Sequence, residues 1–494
     1  MTIVSLTLII GLVALVLTVL TGMVFKKVQS WALSFLQNFT GALFVFSGFV
    51  KAIDPLGTAF KMEQYFTEFE LTFQDTWMSF LSPLFPILSE FAPSFSVIMI
   101  VFEIVLGLML LVGSLRKFTA WAFLLLVAFF TVLTGFTYLT GYVPADVNFF
   151  EFGKWGPYTA TNMKVTDCGC FGDFLKLEPR VSFLKDVFLL VPAILFVLFS
   201  QKMHQLFALP VRASLIGLSA MVFTWYCFSN YVWDIPGIDF RPFKVGVNIL
   251  EQKNREIDAE NNVEITGINL TNKETGEVIS NMSYGDFMAN FKDYPKENWD
   301  FEYIKSAPTV ARTKISDFDV SSSDGQEVTE EILSDPNYSF MIIAYKLYGD
   351  VATSSQMVKD TSYRNDTLLV GDEIQVSQII DQIADKQVTL TEYNWDPVYV
   401  GKWKEVINPV LASARDNNLD VFAITGYANP DVLESFKAAS GSDYTFHVAD
   451  DILLKTIVRS NPGVVLLKNG TIVQKWHYKQ LPTFEEIRQR YMNE

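Results

Sequence analysis

Apolar residues fill six long runs within the first 233 positions, and only beyond them does the chain turn to the short alternations of strands and amphipathic helices. Thr2 to Phe25 carries no charge, and a helix needs about 20 residues to cross hydrocarbon. Ala32 to Ile53, Phe95 to Leu115, Phe118 to Tyr142, Ser182 to Phe199 and Ala208 to Trp233 are of the same kind, which predicts six membrane-spanning helices. No Lys or Arg precedes the first run, Lys26 and Lys27 follow it, and it lacks a small-x-small cleavage site. It therefore reads as a span and not as a secretion leader. Between the second and third runs, Thr58 to Phe73 sets Phe60, Tyr65, Phe66, Phe69 and Phe73 among charges. That pattern predicts a helix lying on the membrane surface or capping the bundle.

The pattern changes at Ile235-Pro236-Gly237. Val263 to Leu270 and Glu277 to Ile279 read as a hairpin around Asn272-Lys273-Glu274-Thr275-Gly276. Strands are expected at Phe340 to Tyr345, Val421 to Thr425, Gly463 to Leu467 and Thr471 to Trp476, with a turn at Asn469-Gly470. Helices are expected at Trp403 to Asn417, Pro430 to Ala439, Asp450 to Arg459 and Phe484 to Tyr491. This order predicts a mixed sheet with helices on both faces. An insertion of about 50 residues separates Phe340 to Tyr345 from the next helix.

Charge follows the same division. Up to Asp234 there are 13 Lys and Arg against 14 Asp and Glu, and beyond it 25 against 40, so nearly all of the net charge of −16 lies in the second half. An acidic half without clustered Lys and Arg argues against nucleic acid as a partner. Within the first half, alternating the spans puts Lys26, Lys27, Arg116, Lys117, Lys202 and Arg212 on one side, the cytoplasmic one by the positive-inside rule. The N-terminus, the loop from Asp54 to Pro93, and everything after Trp233 then face the other side, where disulfides can form.

That side also holds Asp167-Cys168-Gly169-Cys170-Phe171-Gly172-Asp173, with two of the three cysteines in the chain. An i to i+2 disulfide closes a small, strained ring, and Gly169 eases the closure. Such a bond is readily reduced, which suits an oxidant or a relay. Asp167 and Asp173 work against it by raising thiol pKa values. A staple or free thiols are the plainer readings, and one CxC with one distant Cys is poor zinc spacing. Cys227, near the outer end of the last span, is a candidate resolving thiol; the bland reading is a small buried hydrophobe. Glu103 sits inside an apolar span and needs a partner there, for which Lys51 and Lys185 are available. Glu103 with Lys51 is either a proton or quinone site or, more commonly for such pairs, a structural ion pair between helices.

Several stretches resemble known families. Phe46-Ser47-Gly48-Phe49-Val50-Lys51-Ala52-Ile53-Asp54-Pro55-Leu56-Gly57-Thr58 resembles the first-helix signature of DoxX-like membrane proteins, and Glu103 with Gly107 and Gly113 is similar to their third segment. Cys168-Gly169-Cys170-Phe171-Gly172 followed by Lys185-Asp186 is similar to the methylamine-utilisation protein MauE. Arg459 to Gly470, with Pro462 in the cis-proline position, resembles the thioredoxin fold, and Ala307 to Phe318, then Asp324-Gly325, resembles the N-terminal strands of its peroxiredoxin and TlpA-like branch. The resemblances imply a multi-domain membrane protein of four parts. These are an added N-terminal transmembrane helix (1–27), a DoxX/MauE-like domain with a four-helix bundle (28–234), a periplasmic linker with a β-hairpin (235–305), and a periplasmic α/β thioredoxin-like domain (306–494).

This looks like a MauE and a MauD-like partner joined in one bacterial inner-membrane polypeptide of Bacteroidetes type. The last domain has no cysteine, since none follows Cys227, so it is expected to bind an exported client and not to exchange thiols. The implied function is thiol-disulfide redox chemistry or disulfide maturation through Cys168 and Cys170, with a quinone as the one cofactor to be expected, membrane lipid around the bundle, and Cys227 in reserve. The alternative is a non-enzymatic envelope scaffold whose CGC loop is structural; a transporter comes third.

Overall fold

The computed structural model describes residues 2–165, 169–370 and 373–492. The chain divides into two compact units, Met1–Lys244 and Val245–Glu494.

The first unit is helical. Its elements are α1 (Ile3–Val19, continued as a wider turn through Val24), α2 (Trp31–Ile53), α3 (Pro55–Gln74), α4 (Leu84–Glu90), α5 (Ala92–Val112), α6 (Arg116–Thr140), α7 (Pro179–Leu198) and α8 (Leu209–Phe228, continued through Trp233). Among the described residues six helices, α1, α2 and α5 to α8, are long and apolar enough to cross a membrane, as the six apolar runs predict. This is a multi-pass membrane protein. Its outward faces carry Leu8, Leu12, Val132, Phe188 and Leu218 exposed, as bilayer-facing helices require.

A sharp turn separates α2 from α3, where the Asp54 carboxylate accepts from the Gly57 N–H at 3.1 Å and Pro55 opens the helix. α3 packs onto the bundle, its buried Tyr65 hydroxyl 2.8 Å from Thr137 Oγ1 on α6. α2 and α5 approach backbone to backbone, since a Cβ on Gly107 would lie 2.8 Å from the Val45 nitrogen and 2.9 Å from the Gly41 carbonyl. Small residues at such crossings let van der Waals packing replace the hydrophobic drive that lipid does not supply.

The C-terminal end of α5 is closed by side chains. Gly113 takes φ +67° as its cap, Gln37 donates to the Leu110 carbonyl at 2.7 Å, and Arg212 donates to the Gly113 carbonyl at 2.8 Å. His204 Nε2 sits 3.0 Å from the Leu111 carbonyl and its backbone N–H donates to Gln37 Oε1 at 3.1 Å. These contacts satisfy carbonyls that a helix end leaves open. Burial pushes His204 below the usual imidazole range, opposed by its bond to the Leu111 carbonyl. The unfolded chain therefore takes up this proton first as pH falls, and stability should drop from about pH 6.5 downward and stay flat above it. Unfolding midpoints of the full chain in detergent at pH 7.5 and 5.5 check this; a His204→Gln variant losing as much as the parent would refute it.

The second unit begins with α9 (Ile249–Asn261), β1 (Ile265–Asn272), β2 (Val278–Ser283), α10 (Tyr284–Ala289) and β3 (Trp299–Lys305). These strands form an antiparallel sheet in the order β2-β1-β3 over Ile268, Leu270 and Phe287. The expected hairpin is thus present, with a third strand and a preceding helix that the sequence did not disclose. There follow β4 (Ser321–Ser322), α11 (Thr329–Ser334), β5 (Tyr338–Ala344), β6 (Gly349–Val370), β7 (Glu373–Trp395), α12 (Pro397–Gly401), α13 (Asn408–Asp416), β8 (Asp420–Thr425), α14 (Pro430–Ser440), β9 (Thr445–Val448), α15 (Asp451–Ile457), β10 (Gly463–Lys468), β11 (Thr471–His477) and α16 (Phe484–Tyr491).

The larger sheet runs β11-β10-β5-β8-β9-β4, with β5, β8 and β9 parallel and β10 antiparallel to β5. Phe340, Ile342 and Ala344 alternate onto one face and join a core with Trp403, Phe436 and Leu466. A capping box starts α16, Thr483 accepting from the Glu486 N–H and Glu486 from the Thr483 N–H. Thr483→Ala should cost this unit about 1 kcal/mol, readable as a lowered chemical-denaturation midpoint; an unmoved midpoint would discount the cap.

One expectation needs correction. Ala307 to Phe318, read as N-terminal strands, forms turns, because its backbone groups go to side chains: Thr313 N–H donates to Glu256 at 2.8 Å and Ile315 N–H to Thr313 Oγ1 at 3.1 Å. The 50-residue insertion is the antiparallel ribbon β6-β7, paired from Gly349↔Trp395 to Val370↔Glu373.

Candidate functional site

Two ion pairs inside the helical bundle, Lys51–Glu103 and Lys185–Asp186, gather at one place. Lys51, on the last turn of α2, donates to Glu103 Oε2 on α5 at 2.6 Å, and the two side chains are 8% and 2% exposed. Lys51 Nζ also lies 5.3 Å from the centre of the Phe130 ring on α6. Of the two partners open to Glu103, the fold thus chooses Lys51. Lys185 instead pairs with its neighbour Asp186 on α7, and Thr134 of α6 donates to Asp186 Oδ2 at 3.0 Å. Each pair is tied by hydrogen bonds, the condition under which buried charges are tolerated.

Both pairs line one cavity of about 520 Å³, within the roughly 300–1,000 Å³ typical of small-molecule sites. Its walls are otherwise mostly Phe, Leu, Ile and Met. At one side the lining residues Phe95, Ile98 and Phe102 of α5 and Phe129 of α6 are themselves exposed on the outer, apolar face of the bundle. The cavity is therefore open sideways between α5 and α6.

Gly169 and Cys170 close the cavity's polar end. Gly169 takes φ +61°, and a Cβ there would meet the Lys61 side chain of α3 at 3.2 Å. Ser47 of α2 donates to the Cys170 carbonyl at 2.8 Å, and Phe171 behind it is fully buried. Burial pushes the Cys170 thiol above its ordinary range; Lys185 and then Lys51 oppose the shift, while Asp186 and Glu103 add to it. Cys168 and Asp167 lie outside the described residues.

The structure thus brings Lys51, Glu103 and Cys170 together. Cys227 packs elsewhere, buried among Ala52, Val97, Ile100 and Ile104, and is not part of this cavity's lining. Thr134 was not expected at the site, and Asp186 was expected only as part of the Lys185-Asp186 motif, without a partner. Asp186 lies near the start of an apolar run, where a carboxylate is easily taken for a membrane-surface group; Thr134 carries no signal.

In the second unit, the loop after β5 is tied down by polar side chains. Asn461 Nδ2 donates to the Lys346 carbonyl at 2.6 Å and Tyr399 donates to Asn461 Oδ1 at 3.0 Å, beside the cis Asn461–Pro462 bond.

Six helices long and apolar enough to cross a membrane, with a thiol and two ion pairs lining one cavity among them, define the first unit as a multi-pass membrane protein. Residues 29–144, running from the start of α2 to the loop after α6, match the family model described as Methylamine utilisation protein MauE, and this stretch is a MauE family domain. The match contains Lys51, Glu103 and Thr134 and ends before Cys168, Cys170, Lys185 and Asp186. Neither a curated protein nor a solved structure matches the chain.

Proposed function

We propose that the first unit is a thiol-disulfide redox protein in which Cys168 and Cys170 are the exchanging pair and a quinone in the cavity is the electron carrier. One observation carries this reading: Cys170 faces the same apolar, sideways-open cavity as the Lys51–Glu103 and Lys185–Asp186 pairs. A client thiolate attacks one sulfur of the Cys168–Cys170 disulfide, and its second thiolate resolves the mixed disulfide and leaves the pair reduced. A quinone held in the cavity would take the two electrons and two protons released as the Cys168–Cys170 disulfide re-forms. Lys51 and Glu103, with Lys185 and Asp186, are the groups able to hydrogen-bond the quinone oxygens. Cys227, walled off by apolar side chains, is a structural residue in this scheme.

The MauE description of residues 29–144 supports an accessory role in maturing an exported protein, of the kind methylamine utilisation requires. The charge asymmetry of the loops supports an orientation with the N-terminus and second unit on the non-cytoplasmic side, which is the periplasm if the resemblance to bacterial inner-membrane proteins holds. For the second unit, parallel β5 and β8 beside antiparallel β10 and β11 support a thioredoxin-like domain. With no cysteine after Cys227 it binds the client and leaves the chemistry to the membrane unit.

The full chain in liposomes, given dithiothreitol and decylubiquinone, should form quinol at a rate above protein-free liposomes, and Cys168→Ser and Cys170→Ser should each return it to that background. Equal rates in parent and both variants would overturn the proposal. The competing reading, a non-enzymatic scaffold that docks clients through the second unit, expects the parent at background as well.

A further inference from the structure

A thiol in an apolar cavity is a poor nucleophile unless a cation stands by when its proton leaves. The charged and titratable groups around Cys170 come from four elements: Lys51 on α2, Lys61 and Tyr65 on α3, Glu103 on α5, and Lys185 with Asp186 on α7. From α6 the cavity receives the hydroxyl of Thr134. Lys51 is taken up by Glu103 of another helix at 2.6 Å, and Lys61 donates to Gln64 Oε1 at 2.8 Å on its own helix. Lys185 is held differently. Its anion is the adjacent residue of the same helix, and that anion is anchored to α6 by Thr134 and is 2% exposed. The ammonium is thus held on the wall of the cavity that Cys170 also lines, by a carboxylate tied to a second helix, and it works against the burial that raises the Cys170 thiol.

We infer that the Lys185–Asp186 pair governs proton release from Cys170, with Lys185 the positioning residue that steadies the charge left on sulfur and Asp186 the group that limits its effect. This rests on the reading of Cys170 as an exchanging thiol, and it assigns the sensitivity of that thiol to a salt bridge beyond the MauE match.

The test reads ionisation alone, with neither quinone nor client present. Full-length protein in nanodiscs carries Cys168→Ser and Cys227→Ser, so that iodoacetamide reports only Cys170, and alkylation rates are followed from pH 7 to 10.5. Lys185→Met should lower the rate at pH 8.5 by about tenfold, one unit of thiol pKa, and Lys185→Arg should restore most of it. Asp186→Asn should move the profile the opposite way and raise the rate, so a Lys185→Met variant that fails to fold still leaves a signed prediction. A profile unchanged in Lys185→Met, or slowed by Asp186→Asn, overturns the inference, as does a larger loss in Lys51→Met than in Lys185→Met. Because quinol formation is measured separately, a Lys185 effect without electron transfer would sink the redox function and leave this assignment standing.

Discussion

Lys51→Met should destabilise the membrane unit by about 3–5 kcal/mol, the usual result of stripping one partner from a buried ion pair. The Glu103 carboxylate is 2% exposed and has its 2.6 Å bond to Lys51; without the ammonium it faces Phe and Leu walls. The double variant Lys51→Met, Glu103→Leu should recover most of the loss, because two well-packed apolar residues often replace a buried pair at little cost. Unfolding in bicelles by steric trapping would give both numbers. A single variant within about 1 kcal/mol of the parent would mean that water reaches Glu103 and that the pair is not sealed.

Gly113→Ala is the second large effect, at roughly 2–4 kcal/mol. The φ of +67° costs an alanine about 1–2 kcal/mol. The added Cβ would also run into the His204 carbonyl, part of the backbone and unable to rotate away, and overpacking of this kind adds about 1–3 kcal/mol. The knot that closes α5 would have to loosen at Gln37, His204 and Arg212 together. The same trapping measurement applies, and a midpoint equal to the parent's would show that the loop around His204 yields freely.

What the sequence disclosed and what it hid divide along physical lines. All six spans were legible because a charge-free run long enough to cross hydrocarbon has few other readings. β10, β11 and the turn at Asn469-Gly470 were legible from alternation and turn chemistry. The ribbon β6-β7 was not, since its strands carry many Ser, Thr, Gln and Asp, and pairing between two strands with no third neighbour among the described residues leaves little apolar signature. α9 was missed for a related reason: apart from Ile249, Glu256 and Ala259 it is mostly solvated.

At the site, the two candidates for Glu103 were visible, but which lysine it takes is decided by helix packing, through the close approach of α2 and α5 at Gly41 and Gly107. Asp186 and Thr134 meet only because α6 lies along α7, a fact of tertiary structure that no local pattern carries.

The gap between α5 and α6 has a consequence for supply. For the proposed quinone, entry through it would mean a supply drawn from the leaflet, so that occupancy follows its share of the lipid and not its concentration in the buffer. Adding phospholipid at fixed bulk amounts of protein and carrier would thin that share and empty the chamber, whereas a site reached from water would be indifferent to the dilution.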